Sequence, residues 1–191
     1  VKFDKACSNY IPNDTLNKVV YKNLQKVGLP SYSQEELTYA QQMAEALSPN
    51  EIAAAKDEVK KLAGSFEDTL QMDDLTAPFF EEIIPYEKSK LVMTGSTDVA
   101  DVSWVIPTAQ FFTTCFVFGT PLHTWQLVSQ GKTSLAHKGL LYAGEVLALS
   151  AIELFENPDL IMEAKRELLR QTKGQYVNPI PPTIKPNSLG E

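Results

Sequence analysis

The chain contains few of the residues from which catalytic and metal sites are most often built. Its 191 residues include two cysteines and two histidines, and the patterns C-x-x-C, H-E-x-x-H and G-x-S-x-G are absent. Two cysteines, Cys7 and Cys115, cannot form a disulfide framework, which indicates a reducing compartment, the cytoplasm. The nine glycines are scattered and form no phosphate-binding loop. The common nucleophile-elbow, zinc-protease and nucleotide motifs are therefore excluded.

Basic charge and long apolar runs are also scarce. Acidic residues outnumber basic ones by 24 to 17, the net charge is −7, and no nucleic-acid partner is expected. The most apolar run, residues 139–155, contains Glu145 and Glu153, which predicts a buried helix and no membrane association. No apolar signal core occurs in the first ten residues. A composition of 43% hydrophobic and 21% charged residues is that of a soluble globular domain.

Capping signals and apolar periodicity predict helices in the first third of the chain. One helix opens at residues 12–14 and is closed by Gly28. The segments that begin at Ser33 and at Ser48 both have the S-x-x-E form of a capping box. The second of these helices is expected to stop at Gly64.

The rest of the chain alternates between irregular and periodic sequence. Residues 65–90 lose the helical period and predict a long irregular connection. A buried helix is expected from residue 133 or 134 to about 155, and a last helix follows from the Asn157-Pro158 pair. Residues 175–191 carry four prolines and are predicted to be a surface tail.

Two segments between these helices have the composition of strands. Residues 91–95 read LVMTG, and residues 110–119 read QFFTTCFVFG, which is the strongest strand signal in the chain. Strands interspersed with helices favour an α/β fold.

The polar residues that follow these predicted strands are the candidates for a site. Asp98 and Asp101 follow the first strand, and His123 follows the second through a Gly-Thr-Pro turn. Ligands in open α/β sheets bind beyond the carboxyl ends of strands, and imidazole with carboxylate suits Zn²⁺ or Mn²⁺. The structural alternatives are two helix-start carboxylates and a turn histidine bonded to a main-chain carbonyl. For His137, at the start of a helix, the structural alternative is favoured.

Longer stretches of the sequence carry a family resemblance. They read GSTDVADVSWVIP at residues 95–107 and FGTPLHTWQLVSQGKTSLAHKG at residues 118–139, with FDKACSNYIPNDTL near the start. Together they resemble the C-terminal portion of the aminobenzoyl-glutamate hydrolase-like enzymes of the B-subunit type, which are metal-dependent amidohydrolases related to aminoacylases and glutamate carboxypeptidases. The resemblance is strongest over residues 95–149 and weak over residues 31–90.

The resemblance implies a fold and a division of the chain. The fold expected is α/β: the C-terminal part of a zinc-exopeptidase-like three-layer α/β/α sandwich, rich in helix and with few strands. Residues 1–12 would end an inserted lid domain used for dimerisation. Residues 13–174 would form the C-terminal segment of the catalytic domain, with residues 31–90 as a helical or irregular insertion. Residues 175–191 would be the proline-rich tail.

The resemblance also assigns roles to the candidate residues. His123, in a His-Thr pair, matches the last metal ligand of the family, and His137 is the second choice. Thr97, Asp98, Asp101 and Thr124 would contact the substrate or support the site. No catalytic residue falls in this chain. The divalent Zn or Mn centre, with two metals, would be completed by residues outside it.

The activity implied is metal-dependent hydrolysis of the amide bond of an aromatic acyl-amino acid such as p-aminobenzoyl-glutamate. The segment would be inactive without the N-terminal half, and its partners would be a second copy or a sister subunit. The alternative is a non-catalytic interaction or assembly module without a metal site. The acidic helices between Ser33 and Ala63 would then be its partner surface.

Overall fold

The structure, a computed structural model, describes residues 3–70, 78–88 and 97–185. In these ranges the chain forms seven α-helices and one short 3-10 helix. The helices are α1 (Asp14–Val27), α2 (Gln34–Glu45), α3 (Pro49–Ala63), the 3-10 helix (Gly64–Thr69), α4 (Val99–Ser103), α5 (Trp125–Gln130), α6 (Ser134–Glu156) and α7 (Pro158–Thr172). None of them is both long and apolar enough to cross a membrane.

The predicted α/β class is wrong for the described residues, which are helical and contain no strand. The three-layer sandwich is therefore not the architecture of the part of the chain that the structure describes. The strand predicted at residues 91–95 lies outside the described residues. The predicted division into a lid end, a catalytic segment and a tail stays a prediction.

Residues 110–119 form an irregular segment that ends in a turn and pairs with no strand within the described residues. Their main-chain donors are bound elsewhere: the N–H of Val117 donates to Oε1 of Gln130, and that of Phe118 donates to the carbonyl of Pro78, both at 2.8 Å. The side chain of Val117 is fully buried in a helical core. Apolar β-branched and aromatic residues suit any half-buried extended surface, so their enrichment does not by itself require a sheet.

The chain divides into two compact units. The first unit is drawn from residues 1–19, 92–110 and 153–191, and the second from residues 20–91 and 111–152.

In the first unit, the extended residues before α1 run along α4 and the residues that follow it. The N–H of Ile11 donates to Oγ of the buried Ser103 at 2.8 Å, and Nε1 of Trp104 donates to the carbonyl of Asn9 at 2.8 Å. These bonds join segments more than 90 residues apart in sequence. They give the short helix α4 the tertiary support that a five-residue helix needs in water.

In the second unit, a buried core forms around α2, the irregular segment at residues 110–119 and α6. Its fully or largely buried members are Ala40, Leu47, Phe79, Val117 and Leu135. Both predicted capping boxes are confirmed, because Ser33 and Ser48 each accept the N–H three residues on and the N3 glutamate reaches back to the cap. The predicted helix starts and stops around α1, α3, α6 and α7 are also confirmed within a residue or two.

Candidate metal-ligand and substrate segments

His123 lies in a loop of the second unit that begins with a tight turn. The N–H of Thr120 donates to the carbonyl of Val117 at 3.1 Å, and Gly119 within that turn has φ +87°. A positive φ at this position is typical of a type II turn and favours glycine. A Cβ on Gly119 would also lie 3.3 Å from side-chain atoms of Leu47 and Ile52.

The backbone of His123 is in the left-handed region, with φ +61°. A non-glycine residue there is uncommon, although histidine is one of the types that tolerates it. The side chain is exposed, and among the described residues its ring makes no hydrogen bond. The structural alternative, a ring bonded to a main-chain carbonyl, is therefore not observed. An exposed, uncommitted imidazole is free to bind a metal.

Thr124 fixes the chain directly after His123. Its Oγ1 accepts the N–H of Leu127 at 3.4 Å, which makes it the N-cap of α5, and donates to the carbonyl of Pro121 at 2.8 Å. The Thr124 hydroxyl is thus committed to the loop, so its role toward a substrate is through the shape it gives the segment.

His137 lies in the first turn of α6 and is also exposed. Its main-chain N–H donates to the carbonyl of Thr133 at 3.1 Å, and within the described part of the chain its ring makes no hydrogen bond. The backbone of His137 is ordinary helix, whereas that of His123 is in an unusual conformation.

Thr97, Asp98 and Asp101 lie in the first unit, at the start of α4. Oγ1 of Thr97 accepts the N–H of Val99 at 3.3 Å and donates to Oδ1 of Asp98 at 3.4 Å. Asp98 is exposed and occupies the N-cap position, but its side chain makes no capping hydrogen bond to the helix. Its carboxylate thus remains accessible to a ligand.

The carboxylate of Asp101 is half-buried and occupied. It accepts the main-chain N–H of Ser8 at 3.2 Å and the hydroxyl of Tyr176 at 3.0 Å. Hydrogen bonds from Ser8, and then from Tyr176, hold the pKa of Asp101 below its ordinary value against the opposing effect of burial. Asp101 therefore joins three distant segments of the first unit, which is a structural role.

The candidates are divided between the two units. Thr97, Asp98 and Asp101 belong to the first unit, whereas His123, Thr124 and His137 belong to the second. Within the described residues no group of three or more histidine, cysteine, aspartate or glutamate side chains is placed to hold a metal ion.

A pocket of about 390 Å³ opens in the second unit where α2 and α6 begin. Glu36 lines it and accepts from Nζ of Lys138 at 2.6 Å and from the N–H of Ser33 at 2.7 Å. The hydrogen bond from Lys138, followed by that from Ser33, lowers the pKa of Glu36 from 4.5 to about 2. The carboxylate of Glu36 is thus bound by Lys138 and Ser33, which favours a structural role for it.

Gln130, the residue that supports the His123 loop, carries no signal in the sequence. Its side chain is fully buried and bonds to Val117, Thr120 and Gln126. A glutamine is normally expected to be exposed, so only the three-dimensional contacts identify it.

A known protein resembles this chain over part of its own length. No protein-family model and no solved structure matches the chain. The chain is 40% identical over 189 residues to the B subunit of p-aminobenzoyl-glutamate hydrolase of Escherichia coli (strain K12), and the alignment covers 98% of this chain and 39% of that protein. The chain thus spans well under half the length of this curated relative. The resemblance stated from the sequence is confirmed: over almost its whole length, the chain is a homologue of part of the B subunit of p-aminobenzoyl-glutamate hydrolase.

Proposed function

We propose that this chain is the C-terminal segment of a metal-dependent amidohydrolase that cleaves the amide bond of an aromatic acyl-amino acid, such as p-aminobenzoyl-glutamate. In this proposal it supplies one ligand, His123, to a Zn or Mn centre with two metals. The observation that carries the proposal is the 40% identity over 98% of the chain with a subunit of a hydrolase of that name.

The exposure and backbone conformation of His123 support its role as a metal ligand. An exposed imidazole without a hydrogen-bond partner among the described residues can bind a divalent cation. Backbone outliers of this kind persist where the surrounding structure holds them in place, and they concentrate at functional sites. His137 is the second choice, because its ring is equally uncommitted but its backbone is regular helix.

A single imidazole does not suffice for a catalytic metal, which takes about three protein ligands and keeps an open position. The remaining ligands therefore lie outside this chain in our proposal. A divalent cation in such a centre polarises the scissile carbonyl and lowers the pKa of water. Within this chain, Thr124 and the turn at Gly119 hold His123 in place, while Asp98 and Thr97 are available to position the substrate.

The surface of α6 supports the view that the chain works as part of a larger protein. Leu140 and Leu141 are 67% exposed, Leu147 is 56% exposed, and Ile152 is 51% exposed. A helix that is apolar on all sides is normally covered on all sides. We propose that the N-terminal half, a second copy or a sister subunit covers it in the assembled enzyme, as the word subunit in the relative's name suggests.

The remaining expectations belong to the same proposal. Residues 1–12 would end an inserted lid and residues 13–174 would form the catalytic segment, with residues 31–90 as its insertion and residues 175–191 as a tail. Both cysteines are free and Cys7 is exposed, which supports a cytoplasmic location.

The second candidate is a non-catalytic interaction or assembly module. The exposed leucines of α6 favour it equally, because they require a covering partner whether or not a metal is bound. The two candidates differ in what they expect of His123.

Substitution of His123 separates the candidates. In the enzyme that contains the upstream half, we expect His123→Ala to lower kcat/KM by at least about 100-fold, as loss of a metal ligand does, with the far-UV circular dichroism retained. His137→Ala is the matched control and should leave turnover near the wild-type value. Wild-type turnover of His123→Ala would overturn the assignment, and loss of activity in His137→Ala alone would transfer it to His137.

A further inference from the structure

Gln130 is buried on a helix whose neighbouring apolar residues Trp125 and Val128 are exposed. Its side chain is 0% exposed, whereas Trp125 is 65% and Val128 is 77% exposed on the same six-residue helix. Burial of an amide is unfavourable unless its donors and acceptor are paired. Trp125 and Val128 therefore face solvent while the amide of Gln130 faces inward, which indicates that the contacts of the amide decide how α5 is seated.

The contacts of the Gln130 amide are well defined. Oε1 accepts the N–H of Val117 at 2.8 Å, while Nε2 donates to Oγ1 of Thr120 at 3.0 Å and to the carbonyl of Gln126 at 3.1 Å. A main-chain N–H can only donate, so Oε1 must face Val117 and the orientation of the amide is determined. Both N–H groups of the amide are used.

These bonds clamp the two ends of the loop that carries His123. Val117 and Thr120 form the turn that precedes the loop, and Gln130 ends the helix that follows it. Thr120 is itself buried, so the clamp lies inside the protein while His123 lies outside it. A sparsely populated backbone such as that of His123 persists only where the flanking chain is held.

We propose that Gln130 is a positioning residue for His123: its amide locks the turn at residues 117–120 to α5 and so fixes the place of the His123 ring. This inference rests on the proposed function, because it takes His123 to be a metal ligand. Without the amide, His123 relaxes toward a commoner backbone conformation, and its ring leaves the position from which it binds the metal.

The test uses the complete enzyme and measures how tightly it retains Zn²⁺ or Mn²⁺ against a competing chelator. Gln130→Met removes the amide at similar length, and we expect about tenfold weaker metal retention, the lower end of the effect of losing a supporting partner. Gln130→Glu is the second variant. Its protonated carboxyl can still accept from Val117 and donate to one partner, so it should lose less. Gln126→Leu, on the same helix, is the matched control and should retain metal as the wild type does.

A double substitution distinguishes positioning from general stabilisation. In a His123→Ala background, Gln130→Met should no longer change metal retention, because its effect passes through His123. Hydrogen exchange of residues 120–130 should be faster in Gln130→Met than in the wild type, with other regions unchanged.

Each contrary outcome has a distinct meaning. An equal loss of metal in both backgrounds, unchanged retention in Gln130→Met, or failure of both Gln130 variants to fold would overturn the positioning role while leaving the proposed function in place. Unchanged retention in His123→Ala alone would overturn the part of the proposed function that makes His123 a metal ligand, and the positioning role with it.

Discussion

Glu167 of α7 caps the first turn of α1, where its carboxylate accepts the N–H of Thr15 at 3.0 Å. The same carboxylate accepts the N–H of Asp14 at 2.8 Å and the hydroxyl of Thr15 at 2.9 Å. Asn13 supports the junction, since its Nδ2 donates to the carbonyl of Ala164 and its Oδ1 accepts the N–H of Leu16. A helix start that is 152 residues away in sequence thus receives its cap from another helix.

Replacing this cap should destabilise the chain. Glu167→Gln keeps the shape of the side chain but places an amide N–H₂ against main-chain donors, and hydrogen bonds to charged groups contribute about 1.5–3 kcal/mol. We expect the free energy of unfolding in urea to fall by about 2 kcal/mol. Glu163→Gln, an exposed glutamate on the same helix, is the control and should change it by less than about 0.5 kcal/mol. Equal effects of the two substitutions would contradict the cap.

Acid should destabilise the chain through two carboxylates. The pKa of Glu36 is lowered to about 2, chiefly by the hydrogen bond from Lys138. Burial alone would raise the pKa of Glu167, but the hydrogen bonds from Thr15 and Asp14 outweigh it and lower the pKa. A carboxylate whose pKa is lower in the folded than in the unfolded protein stabilises the fold at pH values above its unfolded pKa, which is 4.5 for glutamate. This contribution is lost as the pH falls toward the folded-state pKa.

The measurement is the free energy of unfolding between about pH 6 and pH 3, where this linkage acts. Near neutral pH, Glu36→Gln should be about 2 kcal/mol less stable than the wild type, because it breaks a buried charge-assisted pair. The difference in free energy of unfolding between the two proteins should become smaller at low pH. Glu35→Gln, its exposed neighbour, should keep the wild-type profile. A constant gap between Glu36→Gln and the wild type over this range would refute the linkage.

Two glycines of α6 should respond oppositely to alanine. A Cβ on Gly139 would overlap the carbonyl oxygen of Thr114 and lie 2.6 Å from Sγ of Cys115, whereas a Cβ on Gly144 would meet nothing within 4 Å. Gly139→Ala should therefore lower stability by about 1–3 kcal/mol, the usual effect of overpacking. Gly144→Ala should raise it by about 0.5–1 kcal/mol through helix propensity. Thermal unfolding of both variants checks this, and a shared sign would show that α6 does not pack on the 110–119 segment as described.

The exposed leucines of α6 should matter for assembly more than for the fold. Leu141→Glu and Leu147→Glu place charge on a face that is open in this chain, so stability of the chain should change by less than about 1 kcal/mol. In the complete enzyme the same substitutions should reduce association between its parts, as measured by sedimentation velocity. Val146→Glu, which buries a charge in the core, should unfold the chain instead. Unchanged assembly with both leucine variants would show that this face stays uncovered.

Local signals predicted the helices well. Helix ends depend on bonds or backbone conformations within a few residues, so local sequence predicts them. The examples are the capping boxes at Ser33 and Ser48 and the helix ends at Gly28 and Gly64. Helix α5 was not predicted, because Trp125 and Val128 face outward while Gln130 faces inward, the reverse of the usual pattern.

Signals that depend on distant partners were unreliable. The strand predicted at residues 110–119 was wrong in the described structure, because its N–H groups bind Gln130 and Pro78 rather than another strand. Whether an apolar extended segment enters a sheet depends on partners that its own residues do not specify. The candidate site was also only partly predictable, since the sequence singled out His123 and Asp101. The bonds of the buried Gln130 and the hydrogen bonds that occupy the carboxylate of Asp101 are visible only in the fold.

Metal content is the most direct test of the proposal that this chain contributes one ligand to a centre completed elsewhere. The isolated chain is dialysed with Zn²⁺ or Mn²⁺ and then freed of unbound ions, and its metal is compared with that of the complete enzyme and of its His123→Ala variant. We expect almost no metal on the isolated chain, a full complement on the complete enzyme, and a clear loss in the variant. One or two tightly held ions on the isolated chain, or full metal in the His123→Ala enzyme, would contradict the account.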